Sequence, residues 1–120
     1  MRHGTHGDQW DANMGDRYIG NWFEDRRHGF GKRWSRNRST YEGNWSRNKP
    51  HGRGTATWAN GDSYHGDYVK GVRNGIGYYS RGRSNLDMYL GEWRGGHACG
   101  RGVRTYANGT FYIGDFARDV

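Results

Sequence analysis

One five-residue motif recurs along the chain at a nearly constant spacing. It consists of a tyrosine, any residue, a glycine, any residue and a second aromatic residue. Its five copies begin at Tyr18, Tyr41, Tyr64, Tyr89 and Tyr112, with spacings of 23, 23, 25 and 23 residues. The longer spacing indicates a two-residue insertion near Arg81–Met88. A fixed period of this length predicts an array of small stacked units in place of one globular core.

Each motif predicts a β-strand with one aromatic face. Because side chains alternate along a strand, positions one, three and five of the motif point to the same side. Glycine at the middle position leaves room for a flat ring from the neighbouring strand. The residues that define this face are Tyr18, Gly20, Trp22, Tyr41, Gly43, Trp45, Tyr64, Gly66, Tyr68, Tyr89, Gly91, Trp93, Tyr112 and Gly114, with Phe116 closing the last copy.

A second motif follows each of the first four copies and predicts the partner strand of a hairpin. It is a Gly-x-Gly unit preceded by His28, His51, Asn74 or Cys99. We expect both glycines of each unit to lie beneath aromatic rings, at Gly52, Gly54, Gly75, Gly77, Gly100 and Gly102. Asn60-Gly61 and Asn108-Gly109 predict two-residue type I′ turns, because such turns need two residues with positive φ.

Composition supports an aromatic sheet in place of an aliphatic core. The 120 residues are 32% hydrophobic, but they include 22 glycines and are 16% aromatic. We therefore predict an all-β fold: a single, elongated, open-ended antiparallel meander of about nine strands. The predicted units are a degenerate half-repeat at 1–17, repeats at 18–40, 41–63, 64–88 and 89–111, and a partial repeat at 112–120.

These motifs closely resemble the MORN (membrane occupation and recognition nexus) repeat, whose pattern is Tyr-x-Gly-x-Trp followed by His-Gly-x-Gly. The resemblance extends from Tyr18 to Phe116, with Tyr68 and Phe116 in place of tryptophan. It implies a non-catalytic scaffold or adaptor in a cytoskeletal assembly. Because proteins built almost entirely of these repeats occur in ciliary and flagellar axonemes, including radial spokes, we expect an intracellular, axonemal location. The alternative it implies is a peripheral membrane module that binds anionic phospholipids.

The net charge of +7 suggests a partner with an acidic surface. Nine basic residues are concentrated in the first half of the chain, and we expect them to line one long edge of the sheet as a partner-binding surface. A merely solvated edge remains the alternative. Several Arg-Gly pairs could suggest nucleic-acid binding. They occupy positions that the repeat already explains, so a nucleic-acid partner is disfavoured. The cluster consists of Arg26, Arg27, Lys32, Arg33, Arg36, Arg38, Arg47, Lys49 and Arg53.

The last strand predicts a second contact surface. Its outer edge has no partner in the sequence given, and exposed strand edges invite pairing with another chain. We expect Ile113, Asp115, Phe116 and Arg118 to be covered by a partner or a second copy, unless the sequence is a fragment and a further repeat follows.

No residue pattern predicts a catalytic, cofactor or metal site. His28 and His51 occupy a repeat position that holds Asn74 and Cys99 elsewhere, so no chemistry is constant there. The single cysteine excludes an internal disulfide. The sequence shows no signal peptide and no run long enough to span a bilayer, which predicts a soluble intracellular protein.

Overall fold

The computed structural model of the chain describes residues 4–11, 15–82 and 87–117, which form one ten-stranded antiparallel sheet. The strands pair in sequence order from the first to the last, and the molecule measures 50 × 24 × 20 Å. The predicted all-β meander of hairpins is confirmed. The strands are β1 (Gly4–Asp11), β2 (Asp16–Phe23), β3 (Arg26–Trp34), β4 (Thr40–Ser46), β5 (Lys49–Thr57), β6 (Ser63–Val69), β7 (Val72–Ser80), β8 (Met88–Arg94), β9 (His97–Thr105) and β10 (Phe111–Ala117).

Strand β1 adds one strand to the expected nine, and its register is that of a second strand of a repeat. Gly7 pairs with Gly20, as Gly31 pairs with Gly43 one repeat later. The backbone of residues 4–11 therefore covers the outer side of β2 in the same way that each Gly-x-Gly strand covers the next motif strand.

The two glycines of each Gly-x-Gly unit have different roles, which corrects the expectation that both lie beneath rings. Between β4 and β5 the register is Gly43 to Gly54 and then Trp45 to Pro50, so β5 carries extra residues in a bulge. Gly52 lies in this bulge with φ of +94°, and a Cβ atom there would meet the Asn44 side chain on the other side of the sheet. Gly52, Gly75 and Gly100 are thus required by backbone conformation, whereas Gly54, Gly77 and Gly102 lie under tyrosine rings.

The two-residue turns lie at the opposite ends of the hairpins from the predicted ones. Residues 24–25, 47–48, 70–71 and 95–96 all have positive φ, as type I′ turns require. Asn60-Gly61 instead belongs to a longer loop in which Trp58 N donates to Asp62 O and Gly61 N donates to Trp58 O. The Asn60 side chain accepts a hydrogen bond from Asp62 N, and only Gly61 of the pair has positive φ. The loop at Asn108-Gly109 has the same pattern, with Tyr106 N donating to Thr110 O and Gly109 N donating to Tyr106 O, so both predicted two-residue turns are wrong.

Candidate functional site

The aromatic residues of the motifs form one continuous ladder along a single face of the sheet, here called the aromatic face. Consecutive rings meet edge to face, with centroids 4.9–5.4 Å apart and interplanar angles of 80–88°. Edge-to-face pairs are favoured by the ring quadrupole and contribute about 0.5–1.5 kcal/mol each beyond burial. In order of contact the rings are Trp22, Tyr18, Trp45, Tyr41, Tyr68, Tyr64, Trp93, Tyr89, Phe116 and Tyr112.

Hydrogen bonds fix the orientation of the rings in this ladder. The Tyr41 hydroxyl donates to the Asn44 carbonyl at 2.9 Å, and all four other motif tyrosines donate to the carbonyl three residues ahead. Trp45 Nε1 donates to the Gly31 carbonyl at 3.0 Å, which joins the ring to the neighbouring strand. The hydroxyls of the five motif tyrosines and the indole nitrogens of Trp45 and Trp93 are therefore satisfied, which orders these rings in the ladder.

Burial of the rings changes the ionisation of their phenols. Desolvation raises the pKa of Tyr18 to about 12, although Arg27 opposes the shift. It also raises the pKa of Tyr68 to about 12 against the opposing charges of Arg73 and Arg33. The phenols are thus neutral throughout the physiological range. Arg73 and Arg33 lie close enough to Tyr68 to oppose the rise in its pKa.

Arginine side chains cover the ladder from the solvent side. The guanidinium carbon of Arg27 lies 4.7 Å from the Trp45 ring centroid, and that of Arg73 lies 4.7 Å from the Trp93 centroid. Arg33 lies 5.5 Å from the Trp45 ring. Such cation–π contacts stabilise the stacked position of the guanidinium plane. The aromatic face consequently presents flat cations over rings, a combination typical of binding hot spots.

A cleft of about 330 Å³ opens on the aromatic face between two of these arginines, and we call it the Arg33–Arg73 cleft. Tyr41, Ala56 and Tyr68 belong to its lining, together with Pro50. The remaining lining residues are Ser39, Thr40, Trp58, Gly71, Val72 and Gly96. The lining contains no acidic residue, so the cleft combines aromatic walls with an uncompensated positive charge.

The opposite face has a different character in each half. Between β3 and β6 one row across the strands is polar, with Lys32, Glu42, Thr55 and His65 in register. From β7 onward the same row becomes apolar, and it holds Tyr78, Leu90, Val103 and Ile113. Leu90 is 49% exposed and Ile113 is 60% exposed.

The predicted basic cluster does not line one edge of the sheet, which corrects the sequence-based expectation. Alternation along the strands and the position of the turns separate its members. Arg27 and Arg33 lie on the aromatic face, and Lys32 and Arg53 lie on the opposite face. Arg26, Arg47 and Lys49 lie at the edge formed by the two-residue turns, whereas Arg36 and Arg38 lie in the loop at the other edge. The role of the cluster in partner binding remains a prediction.

The predicted residues of the last strand also divide between the two faces. Phe116 packs on the Tyr89 ring at 4.9 Å and belongs to the ladder. Ile113 lies on the opposite face, where Asp115 forms an ion pair with Arg101 at 3.7 Å. Arg118 lies outside the described residues. The outer edge of β10 has no paired strand among the residues that the structure describes, and its coverage by a partner stays a prediction.

Sequence reasoning missed Arg73, Trp58 and Arg104 as members of the aromatic face. The Arg73 side chain donates from Nη2 to the Gly96 carbonyl at 2.9 Å, and its guanidinium also lies over Tyr64 and Tyr79. Aligning the second strands of the repeats would have found Arg73, since it occupies the position of Arg27 opposite the second motif aromatic.

Metal-binding clusters and membrane-spanning helices are both absent from the described residues. No group of three histidine, cysteine or acidic side chains there is arranged to hold a metal ion. No helix there has the length and apolarity that crossing a membrane requires.

Comparison with known families matches the fold. The family model described as the MORN repeat matches residues 18–40, 41–63, 64–83 and 89–111. MORN repeats are binding modules generally involved in protein–protein or membrane–lipid interactions, and they are not catalytic. No curated protein sequence matches the chain at a significant level. With four copies of the motif covering most of its length, the chain belongs to the MORN repeat family.

Proposed function

We propose that this protein is a non-catalytic scaffold or adaptor that binds other proteins through its aromatic face. The observation that carries the proposal is the stacking of arginines on an ordered aromatic ladder beside the Arg33–Arg73 cleft. Trp, Tyr and Arg are the residues most enriched at the energetic centres of protein interfaces. Because the stacked rings and arginines are already ordered in the free protein, less side-chain entropy is lost on binding.

Site-specific photo-cross-linking tests which face binds protein. The photoreactive residue benzoylphenylalanine replaces Val72, which lines the cleft and is 42% exposed. The matched control replaces Phe30, which is aromatic, 54% exposed and on the opposite face. We expect discrete protein adducts in native cells from position 72 and none from position 30. Equal adducts from both positions, or adducts from position 30 alone, would contradict docking at the aromatic face.

We further propose that the assembly is cytoskeletal and, more specifically, a ciliary or flagellar axoneme such as the radial spoke. The support is the resemblance to proteins made almost entirely of this repeat. Fractionation of ciliated cells tests it, because an axonemal subunit stays with the detergent-insoluble axoneme and is released with a defined subcomplex. Recovery in the detergent-soluble fraction alone would reject the axonemal location and leave protein docking intact.

A second candidate function is binding to anionic phospholipids at the turn edge of the sheet. Phe23, which is 50% exposed, lines a cleft of about 240 Å³ in which Arg26 and Arg47 outnumber the single acidic residue, Glu24. Apolar and basic side chains together are typical of membrane-surface contacts. Flotation with vesicles containing phosphatidylserine tests this candidate, with an Arg26→Glu/Arg47→Glu variant as the control. Binding of the unchanged protein and loss in the variant would favour the lipid function over the protein function.

A further inference from the structure

The Arg33–Arg73 cleft exists because one repeat carries small residues at two positions, whereas each of the other repeats carries a large side chain at one of them or at both. Opposite the second motif aromatic, the aligned positions hold Arg27, Pro50, Arg73 and Ala98. Opposite the motif tyrosine, they hold Arg33, Ala56, Tyr79 and Arg104. Among these four repeats, Pro50 and Ala56 form the pair in which both positions are small. The space they leave is flanked by arginines contributed by the repeats on either side.

Two residues that line this space carry hydrogen-bond donors with no acceptor among the described residues. Within the described part of the chain, Arg33 Nε is buried and has no hydrogen-bond partner. A buried donor left unsatisfied costs about 1–3 kcal/mol. The Tyr68 side chain also lines the cleft, and its hydroxyl makes no hydrogen bond with the described residues. The side chains around the cleft therefore retain hydrogen-bonding capacity that the described residues do not use.

The face already holds one carboxylate against an arginine. Asp87 accepts a hydrogen bond from Arg104 Nη1 at 2.6 Å, and the Arg104 side chain is 9% exposed. This pair shows that the aromatic face accommodates a carboxylate beside a stacked guanidinium, with Arg104 lying 4.8 Å from the Tyr106 ring. The Arg33–Arg73 cleft offers the same kind of cation, but its lining includes no carboxylate.

We propose that the Arg33–Arg73 cleft takes the carboxylate of one aspartate or glutamate in an otherwise apolar, extended segment of a partner protein. This proposal rests on the proposed function of the aromatic face. The stacked guanidinium of Arg33 donates to the carboxylate, Arg73 supplies a second positive charge, and Tyr68 donates its hydroxyl. Pro50, Ala56 and Val72 pack against the apolar neighbours of the acidic residue. Because the arginines are held by Trp45 and Trp93 before binding, little side-chain entropy is lost.

A protein carboxylate fits the cleft better than a membrane headgroup. Half of the lining residues are aromatic or aliphatic, so the cleft suits a ligand that buries apolar groups beside its charge. Of the other residues of the predicted basic cluster, Arg27 shares the aromatic face, whereas the rest lie at two edges and on the opposite face. No single plane therefore presents the cleft together with most of the remaining positive charges to an anionic membrane.

Selection from a displayed library of random 12-residue peptides, with the full chain as bait, tests the proposal. We expect the recovered peptides to contain an acidic residue between apolar residues, and each is compared with its twin in which glutamate or aspartate becomes glutamine or asparagine. Arg33→Gln and Arg73→Gln remove the cleft charges, and Arg101→Gln removes a charge 73% exposed on the opposite face. Arg33→Lys and Arg73→Lys keep the charge but lose the planar fork, and tryptophan fluorescence reports whether each variant is folded.

The proposal expects the amide twins and both cleft glutamine variants to bind at least about tenfold more weakly, since truncating one partner of a desolvated charge pair is costly. Arg101→Gln should bind within about twofold of the unchanged protein. Peptides without acidic residues, or equal loss in Arg101→Gln, would overturn the carboxylate site while leaving protein docking intact. Recovery of no peptide at all would overturn both. Phosphatidylserine vesicles that bind the unchanged protein but not the Arg33→Gln and Arg73→Gln variants would favour the membrane instead.

Discussion

The motif tyrosine and the two glycines beneath it form the unit on which the fold depends. The Tyr41 ring lies along its own strand, with its hydroxyl on the Asn44 carbonyl. Gly43 and Gly54 pair directly below it, and a Cβ atom on Gly54 would overlap both the hydroxyl and the ring carbons. The ring thus occupies the volume of side chains that two adjacent strands lack, and it is 2% exposed as a result.

Gly54→Ala tests this unit at a single residue. Because φ at Gly54 is not in the left-handed region, alanine meets no backbone strain there and acts only by overlap with the Tyr41 ring. We expect a loss of about 1–3 kcal/mol in the free energy of unfolding, measured by urea denaturation. The control is Gly95→Asn, since a Cβ atom on Gly95 would meet no heavy atom within 4 Å and the φ of +58° there suits asparagine. A Gly54→Ala midpoint equal to that of the control would disprove the packing account.

The tight turns are the elements in which local preference and observed structure disagree most. Lys70 and Gly71 form a two-residue turn with φ values of +49° and +85°. A lysine in the left-handed region costs free energy that asparagine largely avoids. The hairpin nevertheless forms, because the tyrosine ladder and the strand hydrogen bonds on either side hold the chain in this conformation.

Lys70→Asn should therefore stabilise the protein, because Asn-Gly is the preferred sequence for a type I′ turn. The expected gain is up to about 1 kcal/mol. Lys70→Val provides the matched comparison at the same position: a β-branched residue with positive φ should lower the free energy of unfolding by about 1–2 kcal/mol. Thermal denaturation of the two variants checks the order. A valine variant as stable as the asparagine variant would show that turn conformation does not limit stability.

The sequence predicted those features that depend on alternation within one strand. The positions of Tyr41, Gly43 and Trp45 on one face followed from the period of two. The face of Gly52 did not, because the bulge in β5 turns it away and depends on pairing between two strands. The predicted placement of the basic cluster along one edge was wrong for a related reason. Arg26 and Arg27 are adjacent in sequence, yet Arg26 lies at the turn edge and Arg27 lies over the Trp45 ring.

The cleft could not be predicted from the sequence, because it is formed by side chains from several elements. It depends on the loop residue Trp58, on the small residues Pro50 and Ala56, and on Arg33 and Arg73 from two other strands. These five positions are spread over 41 residues, counted from 33 to 73. Aligning the second strands would have shown that Pro50 and Ala56 are smaller than their equivalents, but not that loop and arginines enclose the resulting space.

At the scale of the whole molecule, the sheet replaces a hydrophobic core with a one-dimensional ladder of rings. Each strand pairs only with its sequence neighbours, so neighbouring repeats are coupled through ring contacts and strand hydrogen bonds. Tyr64 and Tyr89 are the largest fully buried side chains. The buried ladder therefore includes phenol groups, which are neutral when buried and can lose a proton at high pH.

This arrangement predicts a specific weakness to alkali. Burial raises the pKa of six ladder or ladder-contacting tyrosines, with the pKa of Tyr18, Tyr68 and Tyr79 reaching about 12; the other three are Tyr41, Tyr64 and Tyr89. An unfolded tyrosine ionises near pH 10. The stabilisation is fully present below that pH and is lost as pH rises through the folded pKa values, because the unfolded chain then releases protons that the folded chain retains.

We expect the urea midpoint to be unchanged between pH 8 and 9.5 and to fall steeply between pH 10 and 12. The loss is at most about 1.4 kcal/mol for each pH unit and each such tyrosine. Absorbance of ionised tyrosine at each pH, recorded in the folded and the urea-unfolded protein, measures the proton difference directly. Net charge cannot produce the same result, since the chain carries +7 at neutral pH and raising the pH first reduces its self-repulsion, which favours the folded state. A midpoint that stays constant or rises up to pH 11 would mean that the phenols ionise equally in both states and that the ladder does not shield them.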